Sequence, residues 1–170
     1  MPRLSYTPGD YDLRVGRSAT GLGIFAEQDI PKGACLYEYV GPQLTKEQEE
    51  KSKSKYLFEI NARKTIDGTV RWNTARYINH SCRPNCEPNI YKARVYIHAK
   101  RKIKAGEELN YDYGKAYFDQ FLKDICACPK CAEKKAAKRA AASRVRAKTV
   151  TKAAKKTSAT KKAKKTKKRA

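Results

Sequence analysis

The sequence predicts a mostly β domain of many short strands, followed by a basic tail without a core of its own. Three observations carry that prediction. Nearly all the aromatic and branched aliphatic residues lie in the first 131 of the 170 positions. Pro, Gly, Asn and Asp cut that part into short runs with strand-like composition. The charge is also uneven. From Ala132 onward there are 17 Lys or Arg and one acid, Glu133, so this segment carries +16 of the total +22 and leaves +6 for residues 1–131.

That asymmetry sets the organisation. A segment of Ala, Lys, Arg, Thr and Ser with no aromatic, Leu or Ile cannot bury enough apolar surface to offset its chain entropy, so 132–170 is expected to be disordered in isolation. Its alanines and lysines are good helix formers, and stretches of it can turn helical once its charge is neutralised. The first 131 residues suffice for one real core. "MPRLSYTPGD" has no apolar h-region, and no apolar run reaches membrane-spanning length. The chain therefore reads as soluble and intracellular, with no membrane partner, and in a reducing compartment its six cysteines are thiols or metal ligands.

The elements follow in order. "GLGIFAEQDIPKGACLYEYVG" (21–41) reads as two strands around a turn at Pro31, Lys32 and Gly33. Thr45 followed by Gln48 is a capping-box signal that opens a polar helix running to about Lys53. "YLFEIN" (56–61) is strand-like, and the Asp67-Gly68 pair within "TIDGTV" is the strongest short hairpin signal. "RYINHSCRPNCEPN" (76–89) is a loop, because its prolines supply no ladder donor and its asparagines tolerate turns. "ARVYIHAKRKI" (93–103) alternates Val95, Ile97 and Ala99 with Arg94, Tyr96, His98 and Lys100, a half-buried strand. "AGEELNYDYG" (105–114) adds a turn and a short strand, and "FDQFLKD" (118–124) a brief helix. "AEQDIPKGACLYEYVG" weakly echoes "AKRKIKAGEELNYDYG", which suggests that the strand ends bearing Tyr39 and Tyr113 face one place.

Two constellations carry chemistry. Cys126, Cys128 and Cys131 lie within six residues, and the two-residue gap of Cys-Pro-Lys-Cys lets one turn aim two thiolates at a single ion. A closed tetrahedral zinc site needs a fourth ligand, for which Cys82, Cys86, Cys35, His80 and His98 are candidates. The competing reading is three reactive thiols, though crowding them on a polar segment invites oxidation. Asn79-His80-Ser81-Cys82 suggests a Cys–His nucleophile pair, against which stands that adjacent side chains rarely form one, since such partners normally approach from different parts of a fold. On the residues alone it is a polar loop with Cys82 a candidate ligand. Tyr111 and Tyr113, at alternate positions, point to one face, either as an aromatic core stripe or as a pocket lining.

Taken in order, Gly21-Leu22-Gly23-Ile24-Phe25-Ala26, "YEYVG", "RYINHSCRPN", "EELNYDYG" and a Cys-x-Cys…Cys end resemble the SET-domain protein lysine methyltransferases over residues 12–131. The resemblance implies a SET domain over 12–114, a post-SET-like zinc segment over 115–131 and the tail over 132–170. It implies several short-stranded sheets with a knot-like crossing, where the Asn-His-Ser-Cys segment passes beneath the segment ending Asp-Tyr. It places S-adenosylmethionine at that crossing, touched by the backbone of Leu22 and Gly23, by Asn79, His80 and Tyr113, and covered by Phe118 or Phe121. Cys82 becomes the fourth zinc ligand beside Cys126, Cys128 and Cys131. Tyr113 orients the lysine amine and the methyl group, Tyr39 is a second wall, and Tyr56 and Phe58 line the peptide groove. Tyr111 stands where the family has Phe or Tyr, and a hydroxyl there implies mainly mono-methylation. The chain departs from the family in the last cysteine gap, two residues rather than four, and in lacking a cysteine-rich segment before the domain.

The tail resembles those of linker histones and bacterial histone-like proteins, which implies sequence-indifferent, salt-dependent nucleic-acid binding. It is also a tethered lysine array within reach of the enzyme's own channel. The substrate expected is a histone or a histone-like, DNA-associated protein. The alternatives are a non-histone protein such as a ribosomal protein, or a non-catalytic zinc-braced module that coats nucleic acid. Localisation is expected to be nuclear chromatin in a eukaryote, and the cytoplasm and nucleoid, or delivery to a host, in a bacterium.

Overall fold

Three small sheets surround one apolar core in the computed structural model, which describes residues 4–144. The chain divides into two units, one through Pro129 and one from Lys130. In the first unit, one sheet has the order β1 (Leu13–Ser18), β2 (Gly21–Ala26), β10 (Glu108–Tyr111), β7 (Asn79–His80). A second sheet is β3 (Cys35–Tyr39), β9 (Arg94–Ala99), β8 (Cys86–Tyr91), and a third is β4 (Gln43–Leu44), β6 (Lys64–Asp67), β5 (Leu57–Asn61). Ile24, Ile30, Ile97, Ile103 and Leu109 are wholly buried where the sheets converge.

The helix expected after Thr45 is α1, Lys46–Lys51, and both hydrogen bonds of its capping box are present. Strand β1 was not expected. It pairs with β2 along its whole length, although its exposed Arg14 and Arg17 hide the alternation.

Two other expectations are corrected. The hairpin is closed by Ala62 and Arg63, not by Asp67-Gly68, because β5 pairs with β6 up to Asn61 opposite Lys64. Asn61 Oδ1 accepts the Arg63 N–H at 2.9 Å, an Asx turn that closes the loop. Asp67 instead accepts from the Ser54 hydroxyl and the Thr69 N–H, while the Gly68 N–H donates to the Tyr56 carbonyl. Strand β9, expected to be half-buried, is buried at every position after Arg94. The N-terminal segment covers its second face. The Tyr6 ring meets Tyr96 and His98 edge-on, and His98 Nε2 donates to the Ser5 carbonyl at 2.7 Å.

The weak echo has a structural counterpart at the seam between sheets. Ile30 and Ile103 exchange two backbone hydrogen bonds. Around them, Gly33 N–H donates to Ala99 and Gly106 N–H to Ala26, while Ala99 N–H donates to Ala34 and Ala26 N–H to Glu107. Each bond maps onto its mate under the same offset in residue number, and Gly33 and Gly106 share φ of +85°.

Beyond Tyr113 come a helical turn, Lys115–Tyr117, and a π turn, Phe118–Leu122, where a brief helix was expected. In the second unit the chain is helical through residue 144, as the Ala, Lys and Glu content there favours. The rest of the tail lies outside the described residues. No described helix is long and apolar enough to cross a membrane.

Candidate active site

The site is organised by a parallel pairing of two segments distant in sequence. Asn79 lies opposite Asn110 and His80 opposite Tyr111, and the Ser81 N–H donates to the Tyr111 carbonyl. Asn85, buried, acts like an extra piece of strand. Its Oδ1 accepts the Asn110 N–H at 2.8 Å, its Nδ2 donates to the Glu108 carbonyl, and its own N–H donates to Asn110 Oδ1. This pins the loop of 81–85 against β10, while the rest of the loop expected over 76–89 is taken up by a 3-10 turn, β7 and the start of β8.

Two clefts flank the pairing. One, of about 280 Å³, is lined by Tyr39, Tyr56, Phe58, Tyr111 and Tyr113, so the two strand ends joined by the echo do face one place. Tyr111 and Tyr113 share a face, their ring centroids 4.9 Å apart. Burial pushes the phenols of Tyr39, Tyr111 and Tyr113 well above the ordinary tyrosine range, so all three stay protonated. Tyr39 spends its proton on the Tyr56 carbonyl at 2.8 Å and Tyr113 on the Ile78 carbonyl at 2.7 Å. Both oxygens keep lone pairs to accept hydrogen.

The other cleft, of about 200 Å³, is bordered by Asn79, His80, Glu108, Asn110 and the turn at Ser18, Ala19 and Thr20. Asn79 Nδ2 donates to the Leu22 carbonyl at 2.9 Å and to Glu108 Oε1 at 2.7 Å. The Tyr113 N–H donates to His80 Nδ1, which leaves the ring proton on Nε2, 3.3 Å from Cys82 Sγ. Burial lowers the His80 pKa and the exposed Asp112 carboxylate opposes this, so the ring is neutral. Phe118 lies 5.4 Å from the His80 ring, whereas Phe121 packs on Tyr117 and is half exposed.

The sequence profile of the SET domain matches residues 21–114. The chain belongs to the SET-domain family. Among curated proteins it is similar to histone-lysine N-methyltransferase trr of Drosophila melanogaster, 40% identical over 125 residues, 65% of this chain and 5% of that protein. It is 37% identical over 120 residues to histone-lysine N-methyltransferase 2D of Homo sapiens, 64% of this chain and 2% of the relative. A third relative is the H3 lysine-4 specific histone-lysine N-methyltransferase of Schizosaccharomyces pombe, 37% identical over 123 residues, 65% of this chain and 13% of that one. The chain thus spans a small fraction of the length of these relatives.

The SET-domain residues expected to act together are close in space. Of the candidate metal ligands, Cys82, Cys126, Cys128 and Cys131 form one cluster, each offering a sulfur within 4.8 Å of the others. A tetrahedral ion with ~2.3 Å bonds holds its sulfurs about 3.8 Å apart, so a small contraction would seat zinc. The other candidates are engaged elsewhere. Cys86 Sγ donates to Asn85, and His98 uses Nε2 on Ser5 and Nδ1 on Asn89. Cys35 is buried beside His98 in the β3–β9 ladder.

Sequence reading missed Asn73, Asn85, Glu108 and Gly68. Asn73 is buried, accepts the Val40 N–H and donates to the Gly68 carbonyl, bracing the segment beside Tyr39. Only Glu108 left a signal: it alternates with Asn110, on the face of β10 opposite Leu109 and Tyr111.

Proposed function

We propose that the chain is an S-adenosylmethionine-dependent protein-lysine N-methyltransferase whose substrate is a histone or histone-like basic protein. The relatives' names supply the histone class and, with it, a chromatin setting. The observation that carries the chemistry is the pair of phenols, Tyr39 and Tyr113, whose protons are already committed to backbone carbonyls. Oxygens that can only accept suit a guest that brings hydrogens, either an amine or a polarised methyl group.

The methyl donor would be held by the Leu22–Gly23 backbone, Asn79, His80 and Tyr113, with Phe118 as cover. When bound, it supplies an electrophilic methyl carbon on a sulfonium. The aromatic cleft would receive the lysine side chain. A lysine in water has a pKa of ~10.4, so only a few ten-thousandths is neutral at pH 7. A cleft walled by Tyr39, Phe58, Tyr111 and Tyr113 disfavours the ammonium form and lowers that pKa. The tyrosines do not take the proton, because their phenols stay protonated; they hold the amine in line at near-attack distance. Tyr56 and Phe58 line the peptide groove. The four cysteines would bind zinc, which would clamp the segment after Tyr113 to the loop bearing His80.

Radiolabelled S-adenosylmethionine tests this reading with the full chain, residues 1–131 and Tyr113→Phe, each with and without mixed histones. Label should reach histones and fall at least 100-fold with Tyr113→Phe, an order of magnitude set by lost positioning. No cofactor binding by the intact chain would leave the zinc-braced module instead. Label on the full chain alone would identify the tail as substrate. For the tail we infer non-specific nucleic-acid contact through its lysines, which release counterions from phosphate.

Mono-methylation is the proposed main product. The Tyr111 and Tyr113 rings line the same cleft with centroids 4.9 Å apart, and a hydroxyl on residue 111 would take room that further methyl groups need. Tyr111→Phe should shift the mass-spectrometric product distribution toward di- and trimethyl-lysine; an unchanged distribution would refute the assignment.

A further inference from the structure

Asn79 has two amide hydrogens, and the structure accounts for both. One goes to the Leu22 carbonyl at 2.9 Å, the other to Glu108 Oε1 at 2.7 Å. Two acceptors at the nitrogen end fix which way the amide is turned, since a flip would set its oxygen against two oxygens. Asn79 Oδ1 is left as an acceptor beside the cleft of Asn79, His80 and Glu108.

The Glu108 carboxylate is itself placed with care. Glu108 lies opposite Phe25 on β2, and its side chain runs diagonally over Gly23. A Cβ on residue 23 would come within 2.4 Å of Glu108 Oε1 and 3.0 Å of the Ser18 Cβ, so only glycine leaves room for it. The Glu108 backbone carbonyl is meanwhile gripped by the side-chain amides of Asn85 and Asn110, at 2.8 and 3.0 Å. Among the described residues, none of the ion pairs includes Glu108. Its Oε1 instead accepts from the Asn79 amide.

We propose that Glu108 is a positioning residue for the methyl-donor site, turning Asn79 so that Oδ1 faces the α-ammonium of the donor. Gly23, on this view, serves the site by leaving space for that carboxylate. The proposal rests on the methyl-donor reading above, in which Asn79 meets the amino group, and adds to it the residues that turn Asn79.

The test compares two nucleosides. S-adenosylhomocysteine carries the α-ammonium and α-carboxylate; 5′-methylthioadenosine lacks the arm that bears both. Affinities are measured by calorimetry for the first and by displacement for the second, with wild type, Glu108→Ala and Glu108→Gln. Glu108→Ala should weaken S-adenosylhomocysteine about tenfold or more, as expected for a lost charge-assisted contact, and change methylthioadenosine less than about twofold. Glu108→Gln, whose Oε1 can accept the same hydrogen, should recover most of the loss. Without ligand, nitrogen-15 NMR should show the Asn79 side-chain amide shifting in Glu108→Ala but not in Glu108→Gln. Equal weakening of both nucleosides, no weakening of either, or an unmoved Asn79 resonance overturns the role of Glu108. A wild-type protein that binds neither nucleoside overturns the methyl-donor reading itself, and the ammonium assignment falls with it.

Discussion

A methyl group on residue 68 would lie 2.3 Å from the Tyr39 hydroxyl and 2.5 Å from Asn73 Nδ2. Gly68 is buried where Tyr39, Asn73 and the Tyr56 carbonyl converge, so its lack of a side chain lets Tyr39 reach its acceptor. Gly68→Ala should cost about 1–3 kcal/mol by urea denaturation, the usual range for overpacking, and should impair methyl transfer by moving Tyr39. Wild-type stability would mean that the neighbours yield without strain. The same glycine shows how residue-level signals mislead. Asp-Gly favours a hairpin, but that preference is local. Here Asp67 is bonded to Ser54 and Gly68 to Tyr56, which directs the chain out of the sheet. The tyrosines were legible because their alternation and following glycines mark one face of a strand end. The buried asparagines were not: an Asn that completes a ladder looks, in sequence, like any loop Asn.

At the scale of elements, β9 is the instructive strand. Its polar alternates, Tyr96 and His98, suggested a solvent face, yet both are buried beneath residues 5–6. No periodicity within β9 encodes that cover, because it comes from a segment some 90 residues earlier. The Tyr6 ring stacks on Tyr91 at 4.2 Å as well as meeting Tyr96 and His98. Tyr6→Ala should therefore destabilise the protein by about 2 kcal/mol in calorimetry, and Tyr6→Phe by far less, since the ring makes the contacts. Equal losses would assign the effect to the hydroxyl. The capping box of α1 was readable from Thr45 and Gln48 alone, because both partners lie within one turn. Local chemistry is legible in proportion to how few residues it needs.

At the scale of the whole molecule, the six cysteines fall into two populations. Burial pushes the Cys35 thiol up to about 11 and the Cys86 thiol up to about 12, so both remain protonated and unreactive at pH 8. The other four converge from two distant parts of the chain. With iodoacetamide at pH 8, peptide mass spectrometry should find Cys35 and Cys86 unmodified in the folded protein. Cys82, Cys126, Cys128 and Cys131 should be modified several-fold faster after zinc is stripped by a chelator. Equal rates before and after stripping would argue against a metal there. The ordered motifs made the family readable, and its profile matches residues 21–114, because each motif there stands where a distant partner needs it. The fourth ligand, by contrast, could not be chosen from spacing, since Cys82 reaches the cluster only through the fold.

The parallel alignment of β7 with β10 also fixes when the two clefts can form during synthesis. Asn79 takes the Leu22 carbonyl from upstream, but Glu108, the Tyr111 carbonyl and the Tyr113 amide, which hold the segment of 79–81, are encoded some 28 or more residues downstream. During synthesis the earlier strands emerge first, yet neither cleft can close until Tyr113 has left the ribosome. On the proposed function, a nascent chain would therefore not methylate lysines it meets while being made. Phe118 and the cysteines at 126, 128 and 131 follow β10, so the cover of the second cleft and the cysteine cluster would arrive later still.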